Sequence, residues 1–258
     1  MIKKFTFWPL FFTCQLLALA LLSWHLMAQF NFAYPVGYQW LGLGENISQF
    51  APLNRYKRDF EFTSPEEHWR LFGEISDSIQ SGGKGLAEIS YSLKNGRSTA
   101  LMHEAEIVHL QDVANLVDGF YRAGLLAWLL WGVLIFIAYR RKIKLPAVKK
   151  MLLGLLVGVV AVAAIISALG PEAVFYWLHV QVFPDGHQWF FYYHESLMTT
   201  LMKAPDIFAF IALWWASVFL VFWFAALYLL KHFLLPEQKQ APAVQGLFAM
   251  RGGGPPAR

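Results

Sequence analysis

The sequence predicts a mainly α-helical membrane protein with four transmembrane helices and a small extracytoplasmic α+β cap. Hydrophobic residues make up 57% of the 258 residues and charged residues only 15%, whereas soluble domains are about 45–50% apolar and about 25% charged. Four apolar stretches approach or exceed the roughly 20 residues that a helix needs to cross a bilayer. Lysines and arginines cluster in the connections expected on one side of these stretches. The composition excludes an ordinary soluble globule, and the single cysteine excludes a disulfide-stapled secreted module.

The first apolar stretch is predicted to be an uncleaved anchor, because it is longer than a signal-peptide core and lacks a small-residue cleavage site. The whole chain divides into seven predicted segments. In chain order these are transmembrane helix 1 (7–28), the extracytoplasmic cap (29–98), a juxtamembrane helix with transmembrane helix 2 (99–139), transmembrane helix 3 (151–169), an outer aromatic loop (170–206), transmembrane helix 4 (207–231) and a disordered cytoplasmic tail (232–258).

The basic residues predict which way the helices face. Lys3 and Lys4 precede helix 1, a basic run occupies 140–144 between helices 2 and 3, and the loop 170–206 carries only Lys203. Basic residues in short loops mark the cytoplasmic side, so both termini are predicted to be cytoplasmic. Since topology accounts for the net charge of +4, we expect no nucleic-acid partner.

The cap is predicted to contain one helix and short strands. Residues 64–67, Ser-Pro-Glu-Glu, form a capping box with proline at the first helical position, and apolar residues then recur on one helical face as far as Gly82-Gly83. Residues 59–62 alternate polar and apolar like a strand, and residues 88–93 do the same before an Asn95-Gly96 turn.

Two polar groups stand out on the segment that leads into helix 2. His109 and Asp112 are three residues apart, so they are neighbours on one helical face. A carboxylate beside an imidazole fixes its tautomer and raises its basicity, as a general base requires. The alternative is an incidental pair on a solvated juxtamembrane helix. A zinc motif starting at His103-Glu104 would need a second histidine at position 107, which is Ile107, so we predict no metal site.

A second candidate is His179, which lies in the aromatic-rich segment 171–194. Aromatic rings at this density suit the membrane interface. The alternative for His179 is therefore a passive position in an interfacial belt, with Trp189 as an anchor.

Taken together, the two segments resemble the signatures of the lipoprotein intramolecular transacylase (Lit) family. The first signature corresponds to residues 106–113, Glu-Ile-Val-His-Leu-Gln-Asp-Val, followed by a span. The second corresponds to residues 178–183 and 188–191, with Pro205-Asp206 before helix 4. The chain departs from the family pattern at Ala114, where a lysine is common, and at Tyr192-Tyr193, which replace an aspartate–proline pair.

The resemblance implies a membrane acyltransferase of the bacterial cytoplasmic membrane with an outward-facing active site. Such enzymes move an acyl chain from the diacylglyceryl group of a lipoprotein to the α-amine of its N-terminal cysteine. The resemblance places the family's two histidines at His109 and His179. We expect His109, oriented by Asp112, to be the general base and His179 the acid or oxyanion stabiliser. Trp189 and Tyr176 are expected to bind substrate, without a cofactor.

The residue types in the sequence are consistent with a direct attack of the cysteine α-amine on the ester, assisted by histidine. An α-amine, with a pKa of roughly 7.7–8.0, must lose a proton before it attacks an ester. No Gly-x-Ser-x-Gly elbow is present, and Cys14 is predicted near the cytoplasmic side, which argues against a serine or cysteine acyl-enzyme. An acyl-histidine intermediate stays open.

Two other functions remain open at this point. One is a different lipid acyltransferase or hydrolase that uses the same histidines on a phospholipid. The other is a non-catalytic membrane protein whose cap binds a partner. The expected partners are the lipid bilayer and a diacylglyceryl lipoprotein or phospholipid substrate, and the oligomeric state is left open.

Overall fold

The computed structural model describes residues 4–234, of which most are helical. The helices are α1 (Lys4–Ala28), α2 (Tyr34–Trp40), α3 (Leu43–Phe50), α4 (Pro65–Gln80), α5 (Glu104–Arg140), α6 (Val148–Leu169), α7 (Pro171–Val182), α8 (Leu197–Met202) and α9 (Asp206–Leu229). A π-helical turn, Leu230–Leu234, follows α9. The four helices α1, α5, α6 and α9 are long and apolar enough to cross a membrane. Most of the predicted tail, from residue 235 onward, lies outside the described residues.

Helices α1, α5 and α9 pack into a bundle with α1 against both partners. Helix α1 is antiparallel to α5, since Phe11 contacts Trp131 near one end and His25 contacts Tyr121 nearer the cap. At Gly124 the two backbones come so close that an added Cβ would lie 2.6 Å from Leu21. The Trp215 indole Nε1 donates a hydrogen bond of 3.2 Å to the Ala20 carbonyl and links α9 to α1.

Helix α6 reaches this bundle near Met151, while its later residues are exposed. It ends at Gly170, whose φ of +86° strains any residue with a side chain. Helix α7 begins at Pro171, and proline is favoured in the first turn of a helix. The segment predicted as an aromatic loop therefore contains two helices, α7 and α8.

The cap consists of short helices and a β-hairpin over one end of the bundle. The predicted cap helix is confirmed as α4, and its N-cap Ser64 accepts a hydrogen bond from the Glu67 amide. The predicted strand near residue 90 is confirmed as β1 (Ser90–Ser92), which pairs antiparallel with β2 (Ser98–Ala100).

The strand predicted at residues 59–62 is wrong, because residues Phe60–Phe62 form a turn of 3₁₀ helix. In a strand, residues two apart share a face, yet Phe60 is fully buried and Phe62 is 58% exposed. Asp59 adopts a left-handed backbone conformation with φ of 65°, which interrupts the extended chain.

His68 anchors α4 in the cap core through a chain of hydrogen bonds. The Thr63 hydroxyl donates to the Phe60 carbonyl, so it accepts from His68 Nε2 at 2.7 Å, and the Tyr38 hydroxyl donates to His68 Nδ1 at 2.9 Å. Both imidazole nitrogens are satisfied in the neutral ring. Burial lowers the pKa of His68 to about 4, although the carboxylates of Glu67 and Glu66 oppose this shift.

The end of the 170–206 segment is tied to the cap by four hydrogen bonds that involve backbone carbonyls. The four bonds run from Tyr34 Oη to the Leu201 carbonyl (2.7 Å), from Asn46 Nδ2 to the Thr200 carbonyl (2.8 Å), from the Arg55 amide to the His194 carbonyl (2.9 Å) and from Lys203 Nζ to the Leu41 carbonyl (2.6 Å). These bonds hold the segment against the cap, while His103 Nε2 donates to the Glu195 carbonyl at 2.7 Å and the Ser196 hydroxyl donates to Glu106, which joins it to the start of α5. The two polar segments singled out in the sequence therefore meet.

Candidate active site

The first histidine of the site is positioned by the beginning of α5. His103 is the N-cap of this helix, and its amide donates a 2.9 Å hydrogen bond to the fully buried carboxylate of Glu106. The same carboxylate accepts a hydrogen bond from the Ser196 hydroxyl, which also caps α8. His109 follows Glu106 by three residues, so a buried network fixes the turn of α5 that carries it.

The second histidine, His179, lies on α7. Its Nδ1 is 2.8 Å from the carbonyl oxygen of Phe175, one turn earlier on the helix. Because a carbonyl only accepts hydrogen bonds, Nδ1 must carry the proton. In the neutral ring the lone pair is then on Nε2, and this tautomer suits His179 to accept a proton.

Both imidazoles contact the ring of one phenylalanine, Phe183. The Phe183 centroid is 5.0 Å from that of His109 and 5.3 Å from that of His179, so the histidines can be no farther apart than the sum of these distances. Groups that act on one substrate must both come within hydrogen-bond reach of it, and this separation permits that. The described structure therefore brings together the two histidines that the sequence singled out.

Aromatic rings surround both histidines. His109 packs edge-on against Phe183 and lies 6.1 Å from the buried ring of Phe191. His179 lies 4.0 Å from Phe175 and 4.7 Å from Trp189, measured between centroids. The surface around the two imidazoles is therefore largely aromatic, which suits a lipid-bearing substrate.

The two residues expected to bind substrate lie in the same aromatic wall. Trp189 contacts His179 directly, and Tyr176 packs on Trp189 with ring centroids 5.2 Å apart. Tyr176 and Phe190 are exposed, so the wall presents aromatic surface beside His179. Binding of substrate by Trp189 and Tyr176 stays a prediction.

Asp112 is paired differently from the sequence-based expectation. Its Oδ2 lies 2.6 Å from Nδ1 of His187, which belongs to the turn between Phe183 and Trp189. The Asp112 side chain is 12% exposed and that of His187 is 41% exposed. His109 Nδ1 is buried and has no hydrogen-bond partner among residues 4–234. The expected hydrogen bond from His109 to Asp112 is therefore replaced by one from His187.

His187 is the residue of this cluster that sequence reasoning missed. The turn signal Pro184-Asp185-Gly186 stands directly before it, but nothing local connects it to a carboxylate 75 residues away. The pairing matters for geometry because it fastens the 183–191 segment, with Phe183 and Trp189, to α5. Without this contact the aromatic rings around the histidines would lose one of their attachments.

Fold and site together define a helical protein with four membrane-length apolar helices and a histidine cluster where a cap meets the bundle. The sequence model of the family described as "Lipoprotein intramolecular transacylase Lit" matches residues 9–204. The chain belongs to this family, and the family's name implies a transacylase. Neither a curated protein nor a solved structure matches the chain significantly.

Proposed function

We propose that this protein transfers an acyl chain within a bacterial lipoprotein, from the diacylglyceryl group to the α-amine of the N-terminal cysteine. Family membership supports the reaction class and the lipoprotein substrate. The observation that carries the site is the contact of both His109 and His179 with Phe183.

The reaction is proposed to occur at the outer surface of the cytoplasmic membrane. Helix α5 has 37 residues and is about 55 Å long, whereas the bilayer core takes about 20 residues. If the basic run beginning at Arg140 marks the cytoplasmic boundary, nearly the first half of α5 projects beyond the opposite face. His109 then lies about 16 Å along the helix above Phe120, on the outer side of the membrane where the cap covers the bundle.

The proposed transfer exchanges an ester for an amide. The cysteine α-ammonium loses a proton, and its nitrogen attacks the carbonyl carbon of one glyceryl ester. The nitrogen of the tetrahedral intermediate loses a second proton, and the intermediate collapses with cleavage of the bond to the glycerol oxygen, which takes up a proton. The products are an N-acyl cysteine and a free glycerol hydroxyl, and no oxidant, cofactor or second substrate is needed.

His179 is the better candidate for the base in this scheme. Donation from Nδ1 to the Phe175 carbonyl leaves Nε2 as the acceptor in the neutral ring, and the α-ammonium supplies the proton. This reverses the roles expected from the sequence. His109 is assigned to the developing oxyanion or the leaving glycerol oxygen, and the Asp112–His187 pair is assigned the role of holding the aromatic segment in place.

The test must account for a product that is an isomer of its substrate, so intact mass does not change. We propose to incubate the full-length protein in detergent with a synthetic diacylglyceryl lipopeptide. Tandem mass spectrometry then distinguishes the N-acyl fragment, and an amine-reactive reagent measures loss of the free α-amine. Both signals are expected with the wild-type protein.

The matched variants are His109→Ala, His179→Ala and His194→Ala. The first two are expected to lose product formation by about 10²–10⁴-fold, the usual contribution of a general acid or base. His194 stacks on Tyr192 in the same segment but outside the cluster, so its variant should keep wild-type activity. Hydrolysis to free fatty acid, or conversion of a phospholipid instead of the lipopeptide, would overturn the proposed reaction.

A further inference from the structure

A large apolar cavity lies between α1, α4, α5 and α9. Its volume is about 600 Å³, and its wall is almost entirely apolar. This volume falls within the range of about 300–1,000 Å³ that is usual for ligand pockets. Lining residues that bear on the argument are Leu17, Ser76, Val113, Phe120, Ala212 and Trp215.

The cavity is a continuation of the histidine-bearing face of α5. Val113 and Phe120 follow His109 by four and eleven residues, so all three lie within about 40° of one another around the helix axis. Val113 is about 6 Å along the axis from His109, and Gly124, also in the wall, is about 22 Å away. A ligand reacting beside His109 can therefore extend into the cavity without crossing to another face.

The cavity opens toward the lipid-facing surface of the bundle. Leu17, Phe120 and Ala212 line it and are also exposed. An apolar ligand can then enter sideways from the bilayer without first passing through water.

One polar group in the wall is without a partner. Ser76, on α4, is only 5% exposed, and its hydroxyl makes no hydrogen bond within the part of the chain that the structure describes. A buried hydroxyl without a partner is unfavourable. A ligand that is apolar but carries a carbonyl oxygen would satisfy it, and a fatty acyl ester has this composition.

We propose that this cavity binds one acyl chain of the diacylglyceryl lipoprotein, with the Ser76 hydroxyl donating to an ester carbonyl. The inference rests on the proposed function, because that function identifies the diacylglyceryl lipoprotein as the substrate. The cavity holds the chain along α5, and the reacting end of the lipid is thereby kept at the level of His109. Chain length and saturation are then features that the cavity selects.

The direct test is photo-labelling of the full-length protein with a diacylglyceryl lipopeptide that carries a diazirine at the end of its acyl chains. Peptide mapping is expected to find the label on cavity-lining residues of α5 and α9 around Phe120 and Ala212. Ala212→Phe fills the cavity and should remove most of this label and raise KM. Ala209→Phe, one turn earlier on α9 and outside the cavity lining, is the control and should behave like the wild type.

A second pair of variants tests the polar contact. Ser76→Ala should raise KM about three- to tenfold, as expected for loss of one hydrogen bond, with kcat little changed. Ser78→Ala alters a buried serine of the same helix that does not line the cavity and should leave KM unchanged. Equal effects of the two substitutions would contradict the assignment of Ser76.

The outcomes of the labelling and activity measurements distinguish failure of this inference from failure of the proposed function. The inference alone is overturned if the protein forms N-acyl product but the label lies outside the cavity. It is also overturned if the protein forms product and the Ala212→Phe variant is labelled like the wild type. Label in the cavity without N-acyl product supports an acyl site and overturns the transfer reaction. If a phosphatidylcholine with the same diazirine labels the cavity equally well, and added lipopeptide does not reduce this label, then the cavity binds membrane lipids in general. That result overturns the assignment of the cavity to the lipoprotein.

Discussion

Asp112 Oδ2 accepts a 2.6 Å hydrogen bond from Nδ1 of His187, and this bond joins α5 to the aromatic segment 75 residues later in the chain. The pair lies beside His109 without touching its Nδ1. We expect the pair to have a positioning role, because it fastens to α5 the segment that carries Phe183 and Trp189, the rings that contact the two candidate catalytic histidines.

Loss of this pair is expected to lower transfer activity without unfolding the protein. Asp112→Ala and His187→Ala should each reduce kcat/KM at least about tenfold, equivalent to about 1.4 kcal/mol, while Asp112→Asn, which keeps an acceptor for His187, should retain more activity than Asp112→Ala. The measurement is the steady-state rate of N-acyl formation.

The double variant provides the control for this positioning role. If the two residues act as one unit, Asp112→Ala combined with His187→Ala should be no worse than either single variant. Strictly multiplicative losses of activity would show that Asp112 and His187 act independently and would contradict their joint positioning role.

The tautomer of His179 leads to a second prediction. His179→Asn keeps an N–H that donates to the Phe175 carbonyl but has no basic nitrogen, so the fold should persist while activity falls about 10²–10⁴-fold. Circular dichroism and N-acyl formation measure the two effects. Activity close to that of the wild type would exclude His179 as the base.

The buried His68 predicts a stability change with pH. Its pKa is about 4 in the folded protein and about 6.5 in an unfolded chain, so only the unfolded state gains a proton between these values. Stability is therefore full above pH 6.5 and falls as the pH drops toward 4, by up to about 3 kcal/mol. Thermal unfolding in detergent, followed by tryptophan fluorescence, measures this loss.

His68→Gln should show a shallower decline of Tm between pH 6.5 and 5 than the wild type. His194→Gln, at a partly exposed histidine, is the control and should keep the wild-type slope. Parallel curves for the wild type and His68→Gln would mean that the His68 ring does not stay neutral.

The attachment of the cap to α8 gives a fourth prediction. Tyr34→Phe removes the 2.7 Å hydrogen bond to the Leu201 carbonyl but keeps the ring stacked on Phe72. A buried carbonyl left without this donor should cost about 1–3 kcal/mol and lower Tm by about 2–4 °C per kcal/mol. Tyr56→Phe, at a tyrosine 63% exposed, should change Tm by no more than about 2 °C, because surface substitutions usually change stability by less than about 0.5 kcal/mol.

The extent to which the sequence predicted the fold differs between elements. Helices α1, α5, α6 and α9 were predictable because a long apolar run has few alternatives to a helix, and α4 because its cap and periodicity agree. Residues 59–62 were mispredicted because four alternating residues cannot reveal that Phe60 is buried while Phe62 is exposed. Helix α7 was missed because a segment rich in aromatic residues on every face has no clear helical period.

The sequence by itself determined the number of membrane-length helices, the family and the two histidines, since hydropathy, motif and spacing are local properties of the chain. Only the tertiary structure decided that His109 and His179 share Phe183, that Asp112 pairs with His187, and that an apolar cavity follows the same face of α5. These relationships join residues far apart in the chain, and they depend on how the helices, the cap and the aromatic segment pack together, which hydrogen bonds between these parts help to fix.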